Sequence, residues 1–307
     1  MKMTRSTVLI TAAKVFGVIG SIAYLSACKG PARIEERYYF EEGYYDTIPY
    51  TVYKPAKAES AAKLIIHLPS HLDSTKLTDV AGWTNLTKWG YTVISIHKAK
   101  TADYYLRKGM DFREQRLRDV LAVYKKEAPD TVTELSLLGN GEGAYLCPPL
   151  ADYLKVDQVI AINGGPFSEL QELQVLSERD SFAPVSKGFL EYNFGLNDPR
   201  SLQTALTRVK DQSPEHFILG ENQNLYWLSY DGANLPFEYQ KAPGNFHWVF
   251  FEDYPLFFQR HLNYLKVLSQ TRESGMSKYY LLEGKGLLAE PRTQEELFAL
   301  LKIILKP

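Results

Sequence analysis

The residues best placed to do chemistry surround a sharp bend between Leu135 and Gly143. The apolar run Leu-Ser-Leu-Leu ends in Gly-Asn-Gly-Glu-Gly, and the apolar residues beyond it recur at roughly helical spacing. We therefore expect a buried strand that turns at once into a helix. Such a bend can hold one side chain clear of the sheet, where a hydroxyl or thiol would attack a carbonyl. The central position is Gly141, which has no side chain.

The G-x-x-x-G spacing of Gly139–Gly143 resembles the nucleophile elbow of the α/β-hydrolase superfamily, which usually has serine at its centre. The order of elements carries the same resemblance. A hairpin over Arg37–Tyr44 and Thr47–Tyr53 precedes alternating strands and helices, and Lys88–Ile94 is similar to the family's helix-to-fourth-strand junction. A plain glycine turn would also explain the three glycines, because glycine tolerates positive φ and close packing.

The resemblance implies an α/β fold with a mostly parallel sheet flanked by helices. It also implies a helical cap inserted at about residues 166–222, where strand character fades, although a plain helical excursion is an equal alternative. One departure from the family is Pro148-Pro149, which we expect to kink or end the elbow helix after two turns.

The family places its acid after the seventh strand and its base after the eighth. Those positions correspond to Asp231, after a predicted strand at Leu225–Tyr230, and to Leu287 or, in an earlier register, Lys285. Leucine has no proton chemistry, and lysine is no base near neutral pH unless burial lowers its pKa by several units. Asp231 would equally suit an Asp-Gly turn. The predicted triad has therefore lost its nucleophile and its base.

A second alignment keeps a histidine, His247, as the base. The ten residues Phe237–Phe246 are too few for the helix and strand expected before it, and the surrounding aromatic residues are typical of a core or a pocket wall. The loop after the third strand is where the family places one oxyanion-hole donor, but Pro69 has no N–H to donate. The candidate pocket residues are Leu68, Pro69, Ser70, Glu142 and His247. We expect His261 on a surface helix.

The N-terminus predicts export. A basic start, a short apolar segment and Leu25–Cys28 are typical of a bacterial lipoprotein signal, in which Cys28 is lipidated; Lys14 inside the segment disfavours a transmembrane anchor. Lys29 is not the aspartate that often marks inner-membrane retention, which favours the outer membrane. The chain then divides into a signal peptide (1–27), a tether (28–36) and an α/β-hydrolase-like domain (37–307).

Composition and motifs exclude several function classes. The net charge of −1 argues against a basic surface for nucleic acid. We predict no metal, because only His67 and His71 have ligand-like spacing and no third ligand is near, and no phosphate-binding loop or other cofactor site. Cys147 is expected to be a buried apolar residue.

The sequence therefore predicts an exported, lipid-anchored protein that no longer hydrolyses. It would bind a small apolar or glycan-like ligand, or a protein partner in the cell envelope. The alternative is an active hydrolase of esters or related acyl substrates, in which Glu142 with His247 or His71 activates water.

Overall fold

A computed structural model describes residues 33–40, 47–56, 63–70, 82–98, 111–220, 222–254, 256, 259–272, 275–284 and 291–305. Its centre is an eight-stranded sheet with the order β1-β2-β4-β3-β5-β6-β9-β10. The strands are β1 Arg33–Phe40, β2 Thr47–Lys54, β3 Lys63–Leu68, β4 Thr92–Ile96, β5 Glu134–Asn140, β6 Gln158–Ile162, β9 Asn245–Phe251 and β10 Ser277–Leu282. The pairings of β2 with β1 and β4 are antiparallel, and all the others are parallel. The predicted fold class is confirmed.

Helices cover both faces of this sheet. They are α1 Thr84–Lys88, α2 Phe112–Glu127, α3 Glu142–Leu154, α4 Glu169–Ser177, α5 Pro184–Phe194, α6 Pro199–Asp211, α7 Asn224–Asp231, α8 Leu235–Lys241, α9 Gln259–Thr271 and α10 Pro291–Leu305. A short hairpin, β7 Phe217–Leu219 and β8 Asn222–Gln223, precedes α7. None of the described helices is long and apolar enough to cross a bilayer.

Alternate residues of each central strand supply two cores. Leu64 and Ile66 of β3 belong to a large cluster with α2, α3 and the helices between β6 and β9. Ile65, between them, belongs to a smaller cluster with Trp83 and α10. Continuous apolar runs in the sequence therefore reflect strands that are buried on both faces.

Two boundaries differ from the prediction. β1 begins at Arg33, so residues 33–36, expected in the tether, are already strand. The predicted strand over Leu225–Tyr230 is wrong, because this segment is α7. Tyr226, Trp227 and Tyr230 are buried at helical spacing, and α7 contacts α2, α4 and α6. A helix enclosed on several sides is apolar all round and lacks the periodicity that would distinguish it from a strand.

The seventh strand of the main sheet is instead β9, Asn245–Phe251, which the sequence analysis treated as an aromatic cluster. Its parallel neighbours are β6 and β10. Everything from α4 to α8 is therefore inserted between β6 and β9, over residues 169–241. The helical insertion therefore extends to residue 241, beyond the predicted limit of about residue 222.

The elbow helix α3 does not end at its two prolines but continues to Leu154. Pro148 and Pro149 lack the N–H groups that would bond the carbonyls of Ala144 and Tyr145, four residues earlier. Both carbonyls have other donors. The Tyr239 hydroxyl donates to the Ala144 oxygen at 2.7 Å, and the Arg113 guanidinium donates to the Tyr145 oxygen at 2.9 Å. Because those acceptors are satisfied, the helix tolerates both prolines.

Candidate functional site: a filled nucleophile elbow

The elbow is a strained bend without a reactive group. Gly141 links β5 to α3 with φ 52° and ψ −115°, a conformation that residues with a side chain rarely adopt. A Cβ added to Gly139 would lie 2.5 Å from the Gly143 oxygen, and one added to Gly143 would lie 1.9 Å from the Leu68 oxygen. Glycine is therefore required at both outer positions by close backbone packing. Position 141 lies at the tip of the bend, between β5 and α3, and as a glycine it has no side chain there.

Ser70 fills the space of the missing side chain. An added Cβ on Gly141 would lie 2.8 Å from Ser70 Oγ and 3.1 Å from Ser70 Cβ. Ser70 follows β3, whose end lies beside the elbow because β3 pairs with β5 up to Leu68 and Gly139. A hydroxyl therefore stands near the nucleophile position, but it comes from a different strand.

The pocket above the elbow is almost closed. Its volume is about 10 Å³, which is room for about one water molecule. Its walls come from the ends of β5, β6 and β9 and from the helices above them, and they include Ser70, Gly141, Tyr145, Asn163, Gly164, Gly165, Phe167, Glu169, Glu172, Phe250, Tyr254, Leu256 and His261. Between the described residues, this space is too small for an acyl group.

A buried charged cluster forms the outer wall of this pocket. His261 Nε2 lies 2.9 Å from Glu172 Oε1, and both side chains are 4% exposed. The Arg260 guanidinium lies 2.9 Å from the other Glu172 oxygen and sits 4.5 Å above the centre of the Phe167 ring. A carboxylate buried to this degree is stable only when it is paired. Glu172 is paired with both groups, which joins α4 to α9.

Glu169, one turn earlier on α4, is held in its neutral form. Burial raises the pKa of its carboxyl from 4.5 to about 8, and the nearby Glu142 carboxyl acts in the same direction. The Tyr226 hydroxyl donates to Glu169 Oε2 at 3.2 Å, which opposes the shift. Lys98 also acts against the shift, but its effect is smaller than that of burial, so the carboxyl avoids the cost of a buried charge by keeping its proton.

Three contacts fix the inserted helices onto the elbow helix. The Tyr230 hydroxyl of α7 donates to Glu142 Oε1 at 3.1 Å. Tyr239 of α8 donates to the Ala144 oxygen, as described above. Arg113 of α2 bonds α3 and also pairs with Glu238 of α8. These bonds attach the insertion to the elbow helix along its first turns.

The predicted acid position is wrong. Asp231 is the last residue of the helix α7 and follows no strand. The strand that precedes the acid in chain order is β9, which is followed by Glu252 and Asp253, both exposed. Backbone bonds from Glu252 and Asp253 to the oxygens of Leu282 and Gly284 join this loop to the end of β10. Lys285 and Leu287, the predicted base positions, lie outside the described residues.

His247 does not line the pocket. It is the third residue of β9, so it lies about 13 Å along the strand from Phe251 at the pocket end. Its Nδ1 lies 3.2 Å from the Tyr280 hydroxyl and its Nε2 lies 3.0 Å from Gln158 Oε1. Burial lowers the pKa of this imidazole to about 4, with a smaller effect of Lys278. The alternative in which His247 works with Glu142 is therefore not supported by their positions.

The other candidates fall around the elbow. Leu68 and Pro69 are buried beside it, and Glu142 is buried and bonded to Tyr230. Cys147 is fully buried, as expected, and burial raises the pKa of its thiol. His71 and Cys28 lie outside the described residues.

The sequence analysis missed the charged cluster. His261 was expected at the surface but is 3% exposed. The usable signal was that Glu172 shares a helix face with Leu176, four residues later, because a charge on the buried side of a helix needs a partner. Among the residues that the structure describes, no group of three or more His, Cys, Asp or Glu is arranged to hold a metal ion.

Comparison of the structure with solved structures finds the α/β-hydrolase fold. Est1E from Butyrivibrio proteoclasticus superposes with a TM-score of 0.59 at 13% sequence identity, over 88% of this chain and 98% of that one. The Pyrococcus furiosus esterase Pf2001 gives 0.58 at 11% identity, over 90% and 91%. Mouse alpha/beta hydrolase domain-containing protein 10 gives 0.56 at 11% identity, over 89% and 98%. No protein-family model and no curated protein matches the sequence.

Proposed function

We propose that this chain, which has the α/β-hydrolase fold, is an exported, lipid-anchored binding protein that does not hydrolyse its ligand. The observation that carries the proposal is Gly141, which has the backbone conformation of a nucleophile but no side chain, with Ser70 in the vacant space. A triad hydrolase needs an attacking atom at that point. The strained bend remains because Gly139 and Gly143 pack against backbone atoms, so it serves the fold even without chemistry.

The surroundings of the elbow favour the same reading. The remaining space of about 10 Å³ admits one water molecule and no ester. The insertion is bonded to α3 through Tyr230 and Tyr239, and Glu172 ties α4 to α9. Opening this region would break several buried polar contacts at once, each of which costs about 1–3 kcal/mol when a partner is left unsatisfied.

The test is to treat the purified chain with a fluorophosphonate probe and with p-nitrophenyl acetate and butyrate. We expect no labelling and no hydrolysis above that of buffer. A heat-unfolded sample is the control for non-specific labelling. Stoichiometric labelling of the native chain, or turnover that is abolished by a single pocket substitution, would contradict the proposal.

A second candidate function is hydrolysis through a displaced nucleophile. Ser70 Oγ stands near the vacant side-chain position of Gly141, and the His261–Glu172 pair lines the same pocket. In that case the Ser70 hydroxyl would attack the ester carbonyl while His261 takes its proton. His261 would pass that proton to the departing alcohol, and water would then hydrolyse the acyl-serine to release the acid and restore the hydroxyl. The closed pocket disfavours this candidate. The orientation of His261 also disfavours it, because the Nε2 atom contacts Glu172.

The two candidates are separated by one pair of variants. If Ser70 is a nucleophile, Ser70→Ala abolishes fluorophosphonate labelling, whereas Ser269→Ala does not. Ser269 is a suitable control because it is an exposed serine of α9 whose hydroxyl bonds only its own helix. If the chain is non-catalytic, wild type and both variants remain equally unlabelled.

The lipid anchor is tested separately. Cells that express the chain are fed an alkyne-tagged fatty acid, and the protein is captured and assayed for the tag. We expect labelling of wild type, loss of labelling in Cys28→Ala, and release of the variant from the membrane fraction. Unchanged membrane association of an unlabelled Cys28→Ala variant would instead favour a transmembrane anchor.

A further inference from the structure

A second, larger cavity lies just outside the closed pocket. Its volume is about 630 Å³, within the range of about 300–1,000 Å³ that is usual for small-molecule sites. It is a cleft between α4, the turn that joins α7 to α8, and the first turn of α9. It is lined by Phe167, Gln171, Gln174, Val175, Glu178, Gly232, Ala233, Asn234, Pro236 and Arg260.

Phe167 and the charged cluster separate the cleft from the elbow. Phe167 lines both cavities. Arg260 covers the Phe167 ring and pairs with Glu172, which lines the inner pocket. Among the described residues, Phe167, Arg260 and Glu172 therefore stand between a molecule in the cleft and Gly141. A ligand can bind there without approaching the place where hydrolysis would occur.

The charges of the cleft disfavour both anions and lipids. Its one cation among the described lining residues, Arg260, is already paired with Glu172, and Glu178 adds a negative charge at the exposed side. An anion would therefore meet no net positive charge. An acyl chain would have to cover three amide side chains and a carboxylate, which costs free energy because those groups lose water without gaining a partner.

The polar groups of the cleft are mostly uncharged amides. The Gln171 side-chain oxygen accepts from the Ser168 N–H, and the Asn234 side-chain oxygen accepts from the Phe237 N–H. Both oxygens are used in helix capping, which leaves the NH₂ groups as the available donors. Glu178 supplies an acceptor. Val175, Ala233 and Pro236 add apolar surface between them.

We propose that this cleft binds a neutral oligosaccharide. Sugar rings combine hydroxyls, which both donate and accept, with apolar C–H faces, and the cleft offers amide donors, a carboxylate acceptor and apolar patches without net positive charge. The proposal rests on the proposed function, in that it names the ligand class of a protein that binds without cutting. It places that ligand outside the old catalytic pocket.

The binding test uses the full chain purified in a detergent without a sugar headgroup. Cello-, xylo-, malto- and chito-oligosaccharides are added one at a time, and binding is read by saturation-transfer difference NMR and by calorimetry. We expect at least one of them to bind and to remain uncleaved. If none of the four series binds, the proposal is overturned.

Variants locate the site. Val175→Trp should fill the cleft and abolish binding, and Gln174→Ala should weaken it about fivefold by removing one hydrogen-bonding group. Gln203→Ala is the matched control, because Gln203 is an exposed glutamine of α6 that does not line the cleft. Thermal unfolding checks that each variant folds. If Val175→Trp does not fold, the exposed Gln174 still decides the outcome. Sugar binding that neither folded variant changes would overturn the site.

The failures of the two proposals can be distinguished. Fluorophosphonate labelling of a serine would refute the non-catalytic function, yet sugar binding sensitive to Gln174→Ala would still support the cleft. Conversely, an unlabelled protein that binds no sugar retains the proposed function and loses the cleft.

Discussion

Replacing Gly141 by alanine in the presence and absence of Ser70 tests the geometry at the centre of the site. The four proteins are wild type, Gly141→Ala, Ser70→Gly and the double variant. In wild type the new Cβ meets Ser70 Oγ at 2.8 Å and Ser70 Cβ at 3.1 Å. Rotation of the serine side chain relieves the first contact but not the second.

The expected cost has two parts. A residue with a side chain in the φ 52°, ψ −115° conformation of Gly141 costs about 1–3 kcal/mol in backbone strain. Overpacking against Ser70 adds about 1–2 kcal/mol. Gly141→Ala should therefore destabilise wild type by about 2–5 kcal/mol but the Ser70→Gly protein by only about 1–3 kcal/mol. The expected coupling between the two sites is about 1–2 kcal/mol.

Urea unfolding followed by tryptophan fluorescence gives the four free energies of unfolding. Gly188→Ala is the control for the chemical change alone, because Gly188 lies within α5 and an added Cβ meets no atom within 4 Å. That variant should gain about 0.5–1 kcal/mol. Additive effects of the two site substitutions, within about 0.5 kcal/mol, would refute the conclusion that Ser70 occupies the vacant position.

Three further outcomes follow from the buried polar contacts. Tyr239→Phe should lower the free energy of unfolding by about 1–2 kcal/mol, because the Ala144 oxygen that Pro148 leaves unbonded loses its donor; no change in urea unfolding would show that the hydroxyl is dispensable. Glu172→Gln should cost about 2–4 kcal/mol in the same assay, since Arg260 and His261 lose a buried carboxylate partner, and a cost below about 0.5 kcal/mol would contradict the pairing. The pKa of Glu169 is raised from 4.5 to about 8 in the folded chain. Between these two pH values the folded chain keeps a proton that the unfolded chain releases. Wild-type stability should therefore fall as pH rises from about 5 to about 8, and Glu169→Gln should reduce that fall; parallel pH profiles of the two proteins would refute the assignment.

The order of the sheet could be predicted because its strands carry local signals. β3, β4, β5 and β6 are short apolar runs bounded by turns, and three alternating glycines over Gly139–Gly143 marked the elbow itself. The resemblance then supplied the order in which such strands are joined. That order is confirmed up to β6.

Prediction failed where local signals were equivalent. Leu225–Tyr230 and Asn245–Phe251 are both apolar and aromatic over six or seven residues, yet the first is α7 and the second is β9. What decides between them is tertiary contact, since α7 is enclosed by other helices and β9 pairs with two strands. Asp231 was misplaced for this reason, because its assignment depended on the strand before it.

The positions of the charged cluster and of Ser70 could not be predicted from local sequence patterns, for a different reason. Glu172 and His261 are almost ninety residues apart, and they meet only because α4 and α9 flank the same pocket. Ser70 reaches the elbow because β3 and β5 are neighbours in the sheet. The sequence can indicate that Glu172 needs a partner, but it does not show which residue that partner is, nor that Ser70 reaches the elbow. The chemistry of a site built from several strands can therefore be read only after those strands have been placed.

Three features of the site are consistent with one another. Gly141 has no side chain, Ser70 occupies the space beside it, and the inserted helices are bonded to α3. Because Gly141 has no side chain, a space is left beside the bend, and Ser70 occupies that space. If the chain is non-catalytic, as we propose, no substrate has to reach the elbow, so contacts such as Tyr230–Glu142 and Glu172–His261 can form without obstructing a reaction. Because a working hydrolase must admit its substrate, these buried contacts would oppose catalysis there. On the proposed function these contacts stabilise the fold, and the open cleft beyond Phe167 is the site we propose for the ligand.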